Sequence, residues 1–213
     1  MVPLEYQQGD HICSVYDSRA EQLTVAAEYM ADGLRRGERC LYVDGSAEAL
    51  DEFRQLLART GTDPRDAERR TALLLLTTAD AHLLDGYFSP ERMLSMLNTA
   101  VEEALNAGFP RLRTCGDMSW LLQGAEGSEK IVEYEALLNP FFERAHALGM
   151  CQYDRQRIPA GLLDHAIATH LSVHVEGQHR SNPFCRPTAV TIQRQARPED
   201  VNWKLRDLVR QDG

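Results

Sequence analysis

Apolar and polar residues alternate along this chain in two rhythms, one near two residues and one near 3.6, and the two take turns. "HICSVYD" (11–17) reads as a strand. "SRAEQLTVAAEYMADGLRRGE" follows as a helix, with Ser18 as cap, Glu21 completing a capping box and Gly37 as stop. "RCLYVDG" (39–45) is a second strand, and "SAEALDEFRQLLARTG" (46–61) a second helix ending at Gly61. "TALLLLTT" (71–78) reads as a buried strand. "SPERMLSMLNTAVEEALNAG" is a helix with Ser89 as cap, Pro90 in its first turn and Gly108 as stop. "RLRTCGDM" (111–118) is a strand, and "GSEKIVEYEALLNPFFERAHALG" a long helix bent or interrupted at Pro140. "MCQYDR" (150–155) is a strand, "PAGLLDHAIATH" a short helix and "LSVHVEG" (171–177) a further strand. "TAVTIQ" (188–193) is read as an edge strand.

Such alternation predicts an α/β fold: a mostly parallel, doubly wound sheet with helices on both faces. The 213 residues suit one domain, residues 1–195, with a polar tail, 196–213, that carries a short amphipathic helix with Trp203, Leu205 and Val209. Such a tail is expected to pack on its own domain or on a twin chain. The net charge of −9 opposes direct nucleic-acid binding and docking on anionic membranes. The most apolar run, "ALLLLTT", is too short to span a bilayer, and "MVPLEYQQGD" does not read as a secretory signal. The expected location is therefore cytoplasmic. The five cysteines form no CxxC pair, which argues against a zinc ribbon or a thioredoxin-type site and for free thiols.

Ligands of open α/β sheets bind beyond the carboxyl ends of the strands. That rule selects Tyr16 and Asp17, Asp44 and Gly45, Asp117 with Met118, Ser119 and Trp120, and Tyr153 with Asp154 and Arg155. Asp17 and Asp154 could equally cap a helix or turn. A phosphate loop needs glycines and a lysine, and "VYDSRAEQL" has neither. No G-x-S-x-G elbow occurs, so no catalytic residue is assigned and the chain is read as no enzyme. His11 and Cys13 alternate on one strand and so share a face; with Cys115 and Cys151 they are candidates for metal or redox chemistry. Against this, strand cysteines commonly serve as small buried hydrophobes.

Taken together and in order, "HICSVYDS", "GLRRGERCLYV", "RTCGDMSWLL", "YEALLN", "CQYDR" and "NPFCRP" resemble the MEDS family, the sensory domain of methanogens, methylotrophs and the dichloromethane-responsive regulator DcmR. The resemblance runs from Gly9 to Pro187. It implies a degenerate RecA/KaiC-like fold, a core of the P-loop NTPase type without a working phosphate loop. It also implies a non-catalytic sensor of simple hydrocarbon derivatives in a prokaryotic signalling or transcription-regulatory system. In that fold's strand order the first strand is expected beside the fourth and fifth, which would bring His11, Cys13 and Cys151 together. The family's characteristic positions fall here on His11, Cys13, Tyr16, Asp117, Met118, Trp120, Cys151, Tyr153, Asp154, His170, Asn182, Pro183 and Phe184. The expected ligand site is one cavity lined by Tyr16, Trp120 and Tyr153, beside Met118. Asp17, Asp117, Asp154 and Arg155 are its polar groups. Family members are commonly fused to DNA-binding, PAS or histidine-kinase modules. None is recognised in this sequence, so the expected output runs through a protein partner, a homodimer or a longer architecture. Two alternatives stand beside this reading: an anti-sigma-type interaction protein with a vestigial pocket, and a metal, haem or redox sensor built on His11, Cys13 and Cys151.

Overall fold

The computed structural model of the protein describes residues 5–186 and 197–210. Its strands are β1 (His11–Tyr16), β2 (Arg39–Asp44), β3 (Leu73–Thr77), β4 (Leu112–Asp117), β5 (Ala147–Asp154), β6 (Ser172–Val175) and β7 (Gln178–Ser181). They form one sheet in the order β3-β2-β4-β5-β1-β6-β7, parallel throughout except for β7, which runs antiparallel to β6. The helices are α1 (Arg19–Arg35), α2 (Ala47–Arg59), α3 (Pro64–Arg69), α4 (Pro90–Asn106), α5 (Ile131–Arg144), α6 (Ala160–Thr169) and α7 (Pro198–Arg210).

The pleat sorts side chains into two cores. Cys13, Val15, Leu41, Val43, Cys151, Tyr153 and Val173 point to one face, where α4, α5, α6 and α7 cover them. Ile12, Cys40, Tyr42, Cys115 and Met150 point to the other, under α1 and α2. Helices thus lie on both faces, as the alternation of segments predicts. The Ser18 hydroxyl accepts from the Glu21 amide to start α1. Gly149 lets α5 lie close to the sheet: a Cβ there would stand 2.2 Å from Cζ of Phe142.

Several expectations are corrected. β1 lies between β5 and β6, not beside β4, because β5 inserts between β4 and β1. β3 is an edge strand, half-buried after Leu73, because only β2 pairs with it. The long helix ends at Arg144, and β5 begins at Ala147, before the expected Met150. Pro140 stands within α5. The edge strand on the other side is β7, made from the polar segment "QHRS". The strand expected at 188–193 lies outside the described residues. In the tail, α7 buries Val201, Leu205 and Leu208, and Lys204 pairs with Asp164 of α6 at 2.5 Å.

Candidate functional site

The residues at the carboxyl edge of the sheet divide between its faces. Tyr16 pairs in register with Asp154, whereas Tyr153 pairs with Val15. One residue of offset reverses a side chain. Tyr16 therefore points toward α1, where its hydroxyl donates to Asp117 Oδ1 at 3.0 Å. Burial raises the Asp117 carboxyl; the bond from Ser119 opposes that shift. Tyr153 points to the α5 side and donates to Glu135 Oε1 at 2.6 Å. Trp120 is buried on that side against His82 and Phe88, with ring centroids at 5.2 and 4.7 Å. The single cavity expected between Tyr16, Trp120 and Tyr153 is therefore replaced by two separate arrangements.

At the corner where a phosphate loop would run, the chain supplies its own anion. Glu21 Oε2 accepts from the Asp17 backbone N–H at 2.8 Å, in the first turn of α1. Asp17 pairs with Arg155 at 2.8 Å and also accepts from Gln156. Asp154 Oδ1 takes the amides of Gln156 and Arg157, so it caps a turn. Behind them, Arg19 reaches Asp44 at 2.9 Å. The polar groups expected around a ligand here satisfy one another.

A different cluster lies deep on the opposite face. His11, Glu135, Cys151 and His170 bring one ligand atom each within 4.8 Å of one another, and all four are buried. His11 Nε2 stands 3.1 Å from Glu135 Oε2, and His170 Nε2 stands 3.3 Å from the same oxygen. Cys151 Sγ lies 3.7 Å from His11 Nε2. The far side of each ring is held. His11 Nδ1 meets Asn139 Oδ1 at 3.0 Å, and the Asn139 amide donates to the Thr169 carbonyl at 2.8 Å, which fixes the oxygen toward the ring. His170 Nδ1 meets the Ala166 carbonyl at 2.6 Å. Each imidazole must therefore donate from Nδ1, and when neutral each aims a bare Nε2 lone pair inward. Glu135 Oε2 and His170 Nε2 have no hydrogen-bond partner. Burial pushes His170 down to about 3, with the His11 ring adding to the effect. Burial pushes the Cys151 thiol well up, and the Glu135 charge adds to it. On Glu135 burial acts upward, while the imidazoles, where protonated, and the Tyr153 hydroxyl act to lower it.

The cysteine candidates separate in the same way. Cys13 sits beside Cys151 in register and flanks the cluster. Cys115 pairs with Met150 and points to the α1 side, so it cannot share a ligand with Cys151. Haem does not fit at this cluster: the His11 and His170 ring centroids are 3.8 Å apart, leaving no gap between them, and the adjoining cavity of about 40 Å³ is far too small for a macrocycle.

Beside the cluster, between the sheet and the helices α4 and α5, lies a cavity of about 40 Å³. Met93, Met96, Met118, Leu138, Phe142 and Cys151 are among its lining residues. His82 also lines it; its Nδ1 is buried without a partner, and burial lowers its pKa to about 4. Glu135, Asn139 and His82 escape the sequence reading. Glu135 lies in "YEALLN", already part of the resemblance, but a glutamate in an amphipathic helix reads as solvent-facing.

A sequence model described as the MEthanogen/methylotroph, DcmR Sensory domain (MEDS) matches residues 10–171. No curated protein matches the sequence. Among solved structures, a KaiC-like protein of the hyperthermophilic archaeon Pyrococcus horikoshii OT3 is similar, with a TM-score of 0.55 and 15% identity over 79% of this chain and 71% of that one. That likeness is one of fold.

Proposed function

Since this chain belongs to the MEDS family of sensory domains, we propose that it is a non-catalytic receptor for a small, largely apolar molecule of one or a few carbons, held in the cavity between the sheet and α4. The observation that carries this reading is the cavity itself: about 40 Å³, lined largely by methionine, leucine and phenylalanine residues, with His82, whose buried Nδ1 has no partner, also among the lining residues. Small-molecule sites combine an apolar lining with few polar groups. Methionine side chains are polarizable and adapt to small guests. The volume suits a simple hydrocarbon derivative and is far too small for a nucleotide. The reading includes no role for ATP, because Glu21 and Asp17 occupy the corner that phosphates would need. Output passes to a protein partner or a second copy in a signalling or transcription-regulatory system, since a net charge of −9 opposes direct contact with nucleic acid.

A ligand of about three heavy atoms is bounded near −4.5 kcal/mol, which corresponds to a Kd in the millimolar range. The test is a thermal-shift series with one- and two-carbon alcohols, thiols and halomethanes. At about ten times Kd a true ligand stabilises by about 1.4 kcal/mol, raising Tm by roughly 3–5 °C. Leu97→Phe, which adds bulk at a lining residue, should fold and lose the response. If no compound raises Tm, or the filled variant responds like the wild type, the reading is wrong.

A further inference from the structure

We propose that His11 Nε2, Glu135 Oε2, Cys151 Sγ and His170 Nε2 form a closed four-coordinate site for one zinc-class divalent ion, on the α5 side of β1 and β5. The proposal goes beyond the sensory reading and does not depend on it.

Three of the six ligand–ligand spacings match the edges of a tetrahedron, and all four ligand atoms lie within 4.8 Å of one another. With metal–nitrogen and metal–oxygen bonds of about 2.0–2.1 Å and a metal–sulfur bond of about 2.3 Å, tetrahedral edges come to about 3.3 Å between N and O and about 3.6 Å between N and S. The corresponding separations are 3.1 and 3.3 Å for the two imidazole–carboxylate pairs and 3.7 Å for the thiol–imidazole pair. Ligation would part the two rings from their stacked 3.8 Å. The supporting contacts match as well. Metal-binding histidines donate the other ring N–H to a carbonyl or carboxylate, which orients the ring and fixes its tautomer. Asn139 Oδ1 and the Ala166 carbonyl serve His11 and His170 in that way. The second carboxylate oxygen of Glu135 is held by the Tyr153 hydroxyl.

Without a cation the arrangement is costly. Two neutral rings would aim lone pairs at a carboxylate oxygen, and Glu135 Oε2 and His170 Nε2 are buried without a hydrogen-bond partner. With a divalent ion, the thiol proton of Cys151 passes to solvent. The ion, thiolate, carboxylate and two neutral imidazoles then sum to zero charge, which suits a buried site. The mix of imidazole, thiolate and one carboxylate selects a borderline metal such as zinc over magnesium or calcium, which take oxygen ligands. All four positions are filled from the protein, so the ion would hold β1, β5, α5 and the α6–β6 junction together.

The test starts from full-length protein stripped with chelator and reloaded with zinc or cobalt. The expected result is one equivalent of zinc by elemental analysis and a lower Tm after stripping. Cobalt should give the intense visible bands of a tetrahedral site and a near-ultraviolet sulfur-to-cobalt band. Cys151→Ser should abolish the near-ultraviolet band, and Cys185→Ser, at a half-buried cysteine that is not one of the four ligands, should leave it unchanged. Should Cys151→Ser fail to fold, zinc X-ray absorption on the wild type decides: one sulfur at about 2.3 Å with three nitrogen or oxygen neighbours at about 2.0–2.1 Å is expected. Folded wild type that takes up no zinc in competition with a micromolar chelator, or a metal shell lacking sulfur, would overturn the proposal.

Discussion

Tyr16, the last residue of β1, and Tyr153, the last but one of the neighbouring parallel β5, point to opposite faces of the sheet, each giving its hydroxyl to a buried carboxylate, Asp117 at 3.0 Å and Glu135 at 2.6 Å. Their environments then differ. Asp117 also receives a hydrogen bond from Ser119, whereas Glu135 sits among imidazoles. Tyr153→Phe is expected to cost about 1–3 kcal/mol, because it strands a buried carboxylate oxygen. Tyr16→Phe also leaves an oxygen, Asp117 Oδ1, without its donor, but is expected to cost less, since Ser119 still donates to Oδ2 of the same carboxylate. Urea denaturation of both variants checks the order; equal losses would contradict it.

Gly149 is expected to tolerate no side chain. A Cβ would meet Phe142 at 2.2 Å and Thr114 Oγ1 at 2.8 Å. Gly149→Ala should therefore destabilise by about 1–3 kcal/mol through overpacking. Gly45→Ala, where nothing lies within 4 Å of the added carbon, serves as the control and should be near neutral. Chemical denaturation of the two variants separates a steric cause from a general loss of backbone freedom.

Acid should weaken the fold partly through His174. Burial, then the neighbouring His179, lowers its pKa to about 4. The unfolded value is about 6.5, so between those pH values the unfolded chain binds more protons than the folded one. Stability from this group is complete above about pH 6.5 and falls as pH drops toward 4, by at most about 3 kcal/mol. His174→Gln should flatten the stability profile in that window when melting is followed against pH. An unchanged slope would contradict this assignment.

MgATP is expected not to bind. The first turn of α1 already engages Glu21, and Asp17 is tied to Arg155 at 2.8 Å. Calorimetry with MgATP should give no isotherm. A micromolar Kd would contradict this account of the corner.

The fold was legible because strand and helix rhythms are strong and Ser18, Ser46 and Ser89 mark helix starts with side chains that accept the first-turn amides. Strand order and register were less legible. "TALLLLTT" is apolar enough for a central strand, yet β3 lies at the edge. Tyr16 and Tyr153 both stand near the carboxyl end of a strand, and only the offset between β1 and β5 shows that they diverge. The meeting of His11 with Cys151 was foreseeable from residue type and the resemblance. The place of Glu135 in the same cluster was not, because its partners lie far away in sequence and nothing local marks a helical glutamate as buried.

The central claim, a small-ligand site on the α4–α5 side of the sheet, is tested most directly by NMR of protein carrying 13C-methyl methionine. The chain has six methionines. Met93 and Met118 belong to the core that borders the cavity, Met96 packs against it, and Met30 belongs to the core on the opposite face. Titration with the compounds that raise Tm should move the Met93, Met96 and Met118 methyl signals in a saturable way and leave Met30 unchanged. Saturable shifts at Met30 with the Met93, Met96 and Met118 methyls still, or no saturable shift at any methionine, would contradict the account.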